Sequence, residues 1–261
     1  AAGVGAFDQG AVVDSVGTAE SVIGIVDRLS AAGMRGDGYH YGCHVTGDAY
    51  YVMAGFSGSG ASVEWWMDQF GAPSEDRYQW LLDLLDQCRP GPTGILHLPY
   101  LRGSGPPAKE PADGAVWVGI TESAAKEESM KAVLEGLACE FRRMLEDLPA
   151  PPAVVSVIGG GAQNPHWLRL KATVTGRTLF VPDAEEAVTQ GAAILAGTAA
   201  GIYDSPKVGA GAMMGDQKTI EPDPDHMEAY DLWYRTVYLL AYQRLREVQR
   251  AMRQFQGGRH T

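Results

Sequence analysis

Cysteine is scarce in this sequence, and the three present, Cys43, Cys88 and Cys139, are odd in number and widely scattered. Neither a disulfide framework nor a zinc spacing fits them, and a reducing, cytoplasmic compartment is the expected setting. Long apolar runs are also missing. None approaches the ~20 residues that span a bilayer, and no secretory leader is visible at the start. Positive charge is in short supply, with 21 Lys and Arg against 32 Asp and Glu and a formal net charge of −11. That balance argues against nucleic acid or an anionic membrane as the main partner. It leaves room for a phosphate ligand, because backbone amides and helix ends bind phosphate with little local basic charge. Histidines stand at 40, 44, 97, 166, 226 and 260. His40 and His44 fall in an apparent strand and read as packing or hydrogen-bonding residues, so no metal site is expected. Internal repeats and low-complexity tracts are absent.

What is present is enough apolar material for a full core, 45% of 261 residues, in one large domain or two small ones. Two β-rich runs flank Gly17-Thr18, and two more flank Thr46-Gly47-Asp48, so both read as hairpins. Helical spacing follows at 57–71 and 75–88, then strands at 95–101 and 115–121. Glu127 to Leu148 carries one apolar face and is closed by Pro149, Pro151 and Pro152. TLFVP (178–182) is a short strand, and Asp183 with Glu186 resembles a capping box for the helix after it. Residues 203–225 read as irregular. A long final helix is expected from about His226 to Phe255, with Tyr230, Trp233, Val237, Leu240, Ala241, Val248 and Met252 as its stripe. Residues 257–261 read as a frayed tail. Strands alternating with helices indicate an α/β domain with a mixed sheet, covering helices and hairpins on one edge.

Three short stretches look built for a ligand. Val154–Arg177 runs from an apolar strand through Gly159, Gly160 and Gly161 into a helix. Glycines let a backbone approach a ligand closely, and a helix N-terminus offers N–H groups and a positive dipole end. The Gly17-Thr18 turn can aim amides and a hydroxyl at a phosphoryl oxygen. The small residues Ser57–Ser62 before the next helix permit close approach by a ligand, or tight packing.

Taken together, DSVGTAES, SGSGASVEWW, LPYL with a Gly/Pro loop, AVWVGIT…KAVLEG, GGGAQNPHWLRLKATVTGR and EEAVTQGAAILAG resemble, in that order, the C-terminal domain of the FGGY carbohydrate kinases, which include xylulokinase and glycerol kinase. The resemblance covers about Gly3 to Phe255. A family signature is largely met by Ala115, Trp117, Gly119, Ile120, Glu128, Ala132, Val133, Leu134 and Glu135, and departs at Ser129. It implies an actin-like ATPase (ribonuclease H-like) domain over 1–256. ATP, with magnesium, would lie in a cleft against a second domain. Carried over by position, Gly17 and Thr18 would meet the β- and γ-phosphates, Gly60 and Glu64 would lie near the nucleotide, and Gly160, Gly161 and Asn164 would hold the adenosine.

The same resemblance implies that the sugar or polyol contacts, a DxGT hairpin and the aspartate general base belong to an N-terminal domain preceding Ala1. The chain on its own is therefore expected to be inactive, with no catalytic residue of its own. Its uncovered cleft face could promote self-association, so a homodimer is a possible assembly. Ser104 and Gly105 replace an acid–base pair usual after LPYL, and Thr173 stands where aspartate is common. The altered loop at 102–107 is the sequence feature that favours an alternative, a non-catalytic nucleotide-binding or regulatory module. A dinucleotide-binding oxidoreductase is disfavoured, since G-x-G-x-x-G and its downstream acid are lacking.

Overall fold

The computed structural model describes residues 1–27, 38–105, 114–149, 152–183 and 186–256. Strands β1 (Ala11–Val16) and β2 (Glu20–Val26) form the first hairpin. β3 (His40–Cys43) and β4 (Tyr50–Phe56) form the second. Helices α1 (Ser59–Gln69) and α2 (Arg77–Leu85) follow, then a small antiparallel pair, β5 (Leu96–Leu98) and β6 (Val116–Val118). The long helix α3 (Lys126–Glu146) precedes β7 (Val154–Ile158), α4 (Pro165–Thr175) and β8 (Leu179–Pro182). After these come α5 (Ala187–Ala199), α6 (Pro206–Met213), β9 (Gln217–Ile220), α7 (Met227–Trp233) and α8 (Leu239–Gln256).

Seven strands make one sheet in the order β3-β4-β2-β1-β7-β8-β9. β1 runs parallel to β7 and β7 parallel to β8, while the other neighbours are antiparallel. The alternating pleat sends Val12, Asp14 and Val16 to one face of β1 and Val13 to the other. The first face joins Val22, Val52, Val155 and Val157 with Trp66, Leu134, Leu137 and Phe141 in the main core. On the other, Val13 and Ile25 meet Val4, Ala6 and Ala187. α3 is buried nearly from end to end, which is why it carries few charges that lack a partner.

Three expectations change. Residues 203–225 are ordered: Ser205 caps α6 by accepting from the Val208 N–H, with Pro206 at the first helical position, and β9 closes the sheet edge against β8. Ser-Pro was the available signal. Second, α5 begins at Ala187 with Glu186 as its N-cap and no side-chain cap bond, so Asp183 does not form the capping box. Third, the final helix is interrupted by a π-helical turn at Tyr234–Tyr238. One extra residue in a turn rotates the face that follows. The buried stripe is therefore Tyr230, Tyr234 and Tyr238, whereas Leu240, Val248 and Met252 are exposed. The expected tail at 257–261 lies outside the described residues. Among those described, no helix is long and apolar enough to cross a membrane.

The three tyrosines dock the C-terminal helices by donating to three glutamates of α3. Tyr230 bonds Glu135 (2.9 Å), Tyr234 bonds Glu146 (2.8 Å) and Tyr238 bonds Glu140 (2.8 Å). Glu140 also accepts from Tyr100 (2.8 Å) and from both arms of Arg143 (3.1 and 2.7 Å). Burial alone would raise the Glu140 pKa. The Arg143 guanidinium and the tyrosine hydroxyls outweigh it and hold the carboxyl below its usual range. Glu140→Ala would leave Arg143 buried with a single exposed acid, Asp147, as its ion-pair partner. A loss of about 3 kcal/mol is expected in urea unfolding. A loss below ~1 kcal/mol would show that this network does not hold the C-terminal helices.

Candidate functional site

Strand direction assembles the site. β7 is parallel to β1, and two antiparallel steps through β2 make β4 run the same way. The carboxyl ends of β1, β4 and β7 therefore emerge on one edge of the sheet, where ligands of open α/β sheets bind. β1 leads into the Gly17-Thr18 turn, β4 into the small residues before α1, and β7 into the glycines before α4. The turns surround a cleft of about 480 Å³. All seven residues expected to touch nucleotide line it: Gly17, Thr18, Gly60, Glu64, Gly160, Gly161 and Asn164.

Two of the three turns are stapled together. The Gly60 N–H donates to the Gly17 carbonyl (3.0 Å) and the Ala61 N–H to the Thr18 carbonyl (3.1 Å). The first amides of α1 are thus spent on holding the turn and are not offered to a ligand, contrary to what a helix N-terminus beside a glycine suggests. Gly60 is required for this approach, because a Cβ there would lie 2.5 Å from the Gly17 oxygen. Gly159 has φ of +91°, and its Cβ would lie 2.5 Å from the Val16 oxygen. A Cβ on Gly161 would collide with the Val16 side chain.

Gly17 and Gly160 are different. Neither has a positive φ. A Cβ on Gly160 would meet nothing within 4 Å, and one on Gly17 only the Ala19 oxygen at 3.7 Å. Both are exposed on the cleft. Among the described residues, nothing demands glycine at these two positions.

Asn164 caps α4: its side-chain oxygen accepts from the Trp167 N–H (3.1 Å), and Pro165 takes the first helical position. The amide nitrogen is then the end of Asn164 available to a ligand. Glu64 is tied across to α2, accepting from the Tyr78 hydroxyl and pairing with Arg77 at 3.0 Å. That contact brings α2 into the site, with Tyr78, Gln79, Leu81 and Leu82 forming one wall beside Val63. Sequence reasoning missed this wall because 75–88 reads as a packing helix. Tyr78, 61% exposed on the polar face, was the signal. Trp167 forms part of the opposite wall, and its buried indole N–H has no partner among the described residues.

Beneath the turn lies a cluster that sequence reasoning also missed. The Lys171 ammonium of α4 is buried between Asp14 of β1 (2.5 Å) and Glu20 of β2 (2.8 Å). Ser59 of α1 donates to the second Glu20 oxygen at 2.6 Å. Lys171 also sits over the Phe141 ring at 4.3 Å. Burial opposes the lysine's charge, but the two carboxylates hold its pKa above the ordinary value. One cation cannot satisfy two buried carboxylates. Burial, against the pull of Lys171, pushes Asp14 up to about 8.

Among the described residues no group of three His, Cys, Asp or Glu could hold a metal ion. The acids nearest the cleft are already engaged, Glu64 by Arg77 and Tyr78, and Asp14 and Glu20 by Lys171. The described residues do not fit a protein-held magnesium ion.

Comparison with known proteins bears on this geometry. The model of the FGGY family of carbohydrate kinases, C-terminal domain, matches residues 15–200. A gluconokinase of Bacillus licheniformis is 28% identical over 242 residues, covering 87% of this chain and 46% of that protein. A xylulose kinase of Bacillus subtilis (strain 168) is 24% identical over 258 residues, covering 98% and 51%. A xylulose kinase structure from Brucella ovis superposes with a TM-score of 0.84 at 24% identity, covering 95% of this chain and 50% of the other. The fold is that of the actin-like ATPases. The chain spans about half the length of the curated relatives it matches.

The division among the glycines predicts different costs. Gly60→Ala forces the turn off α1 and should lose about 2 kcal/mol in urea unfolding. Gly160→Ala should cost nothing and gain roughly 0.4–1 kcal/mol, because alanine narrows the unfolded chain's freedom. Equal costs at both positions would contradict the described turn geometry.

Proposed function

The chain belongs to the FGGY family of carbohydrate kinases as its C-terminal domain, and from that membership we propose that it is the ATP-binding half of a sugar or polyol kinase. The whole protein would transfer the γ-phosphoryl group of ATP to a carbohydrate hydroxyl. We read residues 1–256 as that domain, with the sugar contacts and the general base supplied by a further domain. The carrying observation is the pair Gly17 and Gly160, two exposed glycines on one cleft whose identity the fold does not require. A flat or anionic ligand lying against the backbone supplies the missing requirement.

In this reading the Gly17-Thr18 turn meets the β- and γ-phosphates, with the exposed Thr18 hydroxyl as a donor. Gly160, Gly161 and the Asn164 amide face the adenosine. The apolar side chains Val63, Leu81 and Leu82 suit the faces of a purine ring. Gly60 acts by letting the turn close and Glu64 by holding α2 across the cleft. Phosphoryl transfer calls for positioning and charge neutralisation more than covalent chemistry. Magnesium would arrive on the phosphates. The three described cysteines are free thiols, which suits a cytoplasmic setting, and a homodimer of the chain alone would form through the face that the other half covers in the whole protein.

The altered loop after LPYL has a structural explanation that weakens the non-catalytic alternative. A Cβ on Gly105 would collide with the Gly55 carbonyl of β4, so glycine there serves close packing. Loss of an acid–base pair at this point therefore need not mean loss of chemistry.

Magnesium with ATP or ADP should raise the melting temperature of the chain, and NAD should not. Gly160→Val should fold and lose at least about tenfold in ADP affinity, because the branched side chain occupies ligand space. Protection by NAD alone, or full ADP affinity in Gly160→Val, would overturn the assignment. The isolated chain should phosphorylate no sugar, measured by ADP release.

A further inference from the structure

Three buried ionised or ionisable side chains, Asp14, Glu20 and Lys171, meet beside the strand ends that flank the Gly17-Thr18 turn. Asp14 lies three residues before Gly17, and Glu20 two residues after Thr18. At about 3.3 Å per residue both carboxyls lie within roughly 10 Å of the turn. Lys171 reaches them from α4, the helix whose N-terminal end carries Asn164 and the glycines. One cluster therefore joins the phosphate side of the cleft to the adenosine side.

We propose that Asp14, Glu20 and Lys171 form a buried charge triad that positions the Gly17-Thr18 turn against α4 and, through the number of protons it holds, sets the charge facing a bound phosphate. This rests on the nucleotide reading of the cleft. Asp14 and Glu20 are positioning residues: they touch no ligand and act through the turn between them.

Lys171 and Glu20 are the charged groups acting on Asp14. Ser59 of α1 supplies a hydroxyl to Glu20, and the rings of Phe141 on α3 and Trp167 on α4 lie under the ammonium. The second Asp14 oxygen, Oδ1, is buried without a partner of its own. With Asp14 protonated, the triad carries no net charge. Losing that proton leaves one uncompensated negative charge behind the turn. The elevated Asp14 value, about 8, puts this change just above neutrality. A buried charge at this range is poorly screened by salt, so it opposes an incoming diphosphate.

The sign follows directly. Raising the pH from 7.5 to 9 should weaken Mg·ADP binding to the 261-residue chain by about fivefold, an effect of the size expected for one unit charge at such a distance. Calorimetric titration at several pH values within that range measures it. Asp14→Asn removes the group that gives up the proton, and its ADP affinity should change by less than about twofold over the same range. Should Asp14→Asn fail to fold, Glu20→Gln keeps an oxygen for Lys171 and should flatten the profile likewise. A flat profile in the parent chain, or an unchanged fivefold loss in the folded variant, overturns the triad's role while leaving the nucleotide site standing. Absence of ADP binding at every pH overturns both. A merely structural triad would lower stability on substitution and leave the slope of affinity against pH unaltered.

Discussion

The arrangement of the cleft depends on a lysine with nowhere else to go. Lys171 is 1% exposed, on the inner face of α4, where the sequence pattern calls for an apolar residue. An ammonium at that depth costs several kcal/mol to desolvate, and its attraction to nearby carboxylates repays this only with good geometry and filled hydrogen-bonding positions. Its partners come from β1 and β2, on either side of the turn, and Ser59 ties Glu20 to the start of α1. Four elements are thereby fixed relative to one another by a cluster that tolerates little displacement. An apolar core could hold the same elements together with similar strength. It would not fix their relative position so sharply, because packing of methyl groups is forgiving of small slides.

The sequence showed the elements better than it showed their joints. Strand–glycine–helix at 154–177 and the Gly17-Thr18 hairpin were legible because glycine and apolar runs are local signals. That the first, fourth and seventh strands bring their turns to one edge is a matter of pairing between distant segments, which local pattern cannot report. The resemblance to a family supplied what pattern could not, and all seven residues it named line the cleft. It did not reveal how they work. Gly60 read as a place of ligand approach or of tight packing, and the second holds, its Cβ space being filled by the Gly17 carbonyl. Asn164 read as an adenosine contact, yet half of its side chain caps a helix.

The misreadings elsewhere share one cause, which is that tertiary contacts outvoted local periodicity. The stripe expected on the last helix assumed an unbroken 3.6-residue period. The π-helical turn at Tyr234–Tyr238 slips that period so that three tyrosine hydroxyls reach three glutamates of α3. Two of those glutamates, Glu135 and Glu140, are buried, where an unpaired carboxylate would be costly. The partners of α3 thus set the geometry of the C-terminal helices. In the sequence this was visible only as an unusual density of Tyr opposite Glu.

Glycine deserves separating into kinds when a site is inferred without a ligand. At Gly159 the backbone angle requires it, and at Gly60, Gly105 and Gly161 a neighbouring atom occupies the space a Cβ would need. Such glycines report on the fold and would be needed whether or not anything bound. Gly17 and Gly160 satisfy neither condition, and each carries the usual entropic penalty of glycine in an ordered segment, roughly 0.5–1 kcal/mol relative to alanine. A penalty with no structural return points to a requirement outside the chain. Both positions border the same cleft, at the carboxyl ends of adjacent parallel strands, one beside Thr18 and the other beside Asn164. On the function proposed above, the two glycines would serve the two ends of one elongated ligand, which is how a nucleotide would lie.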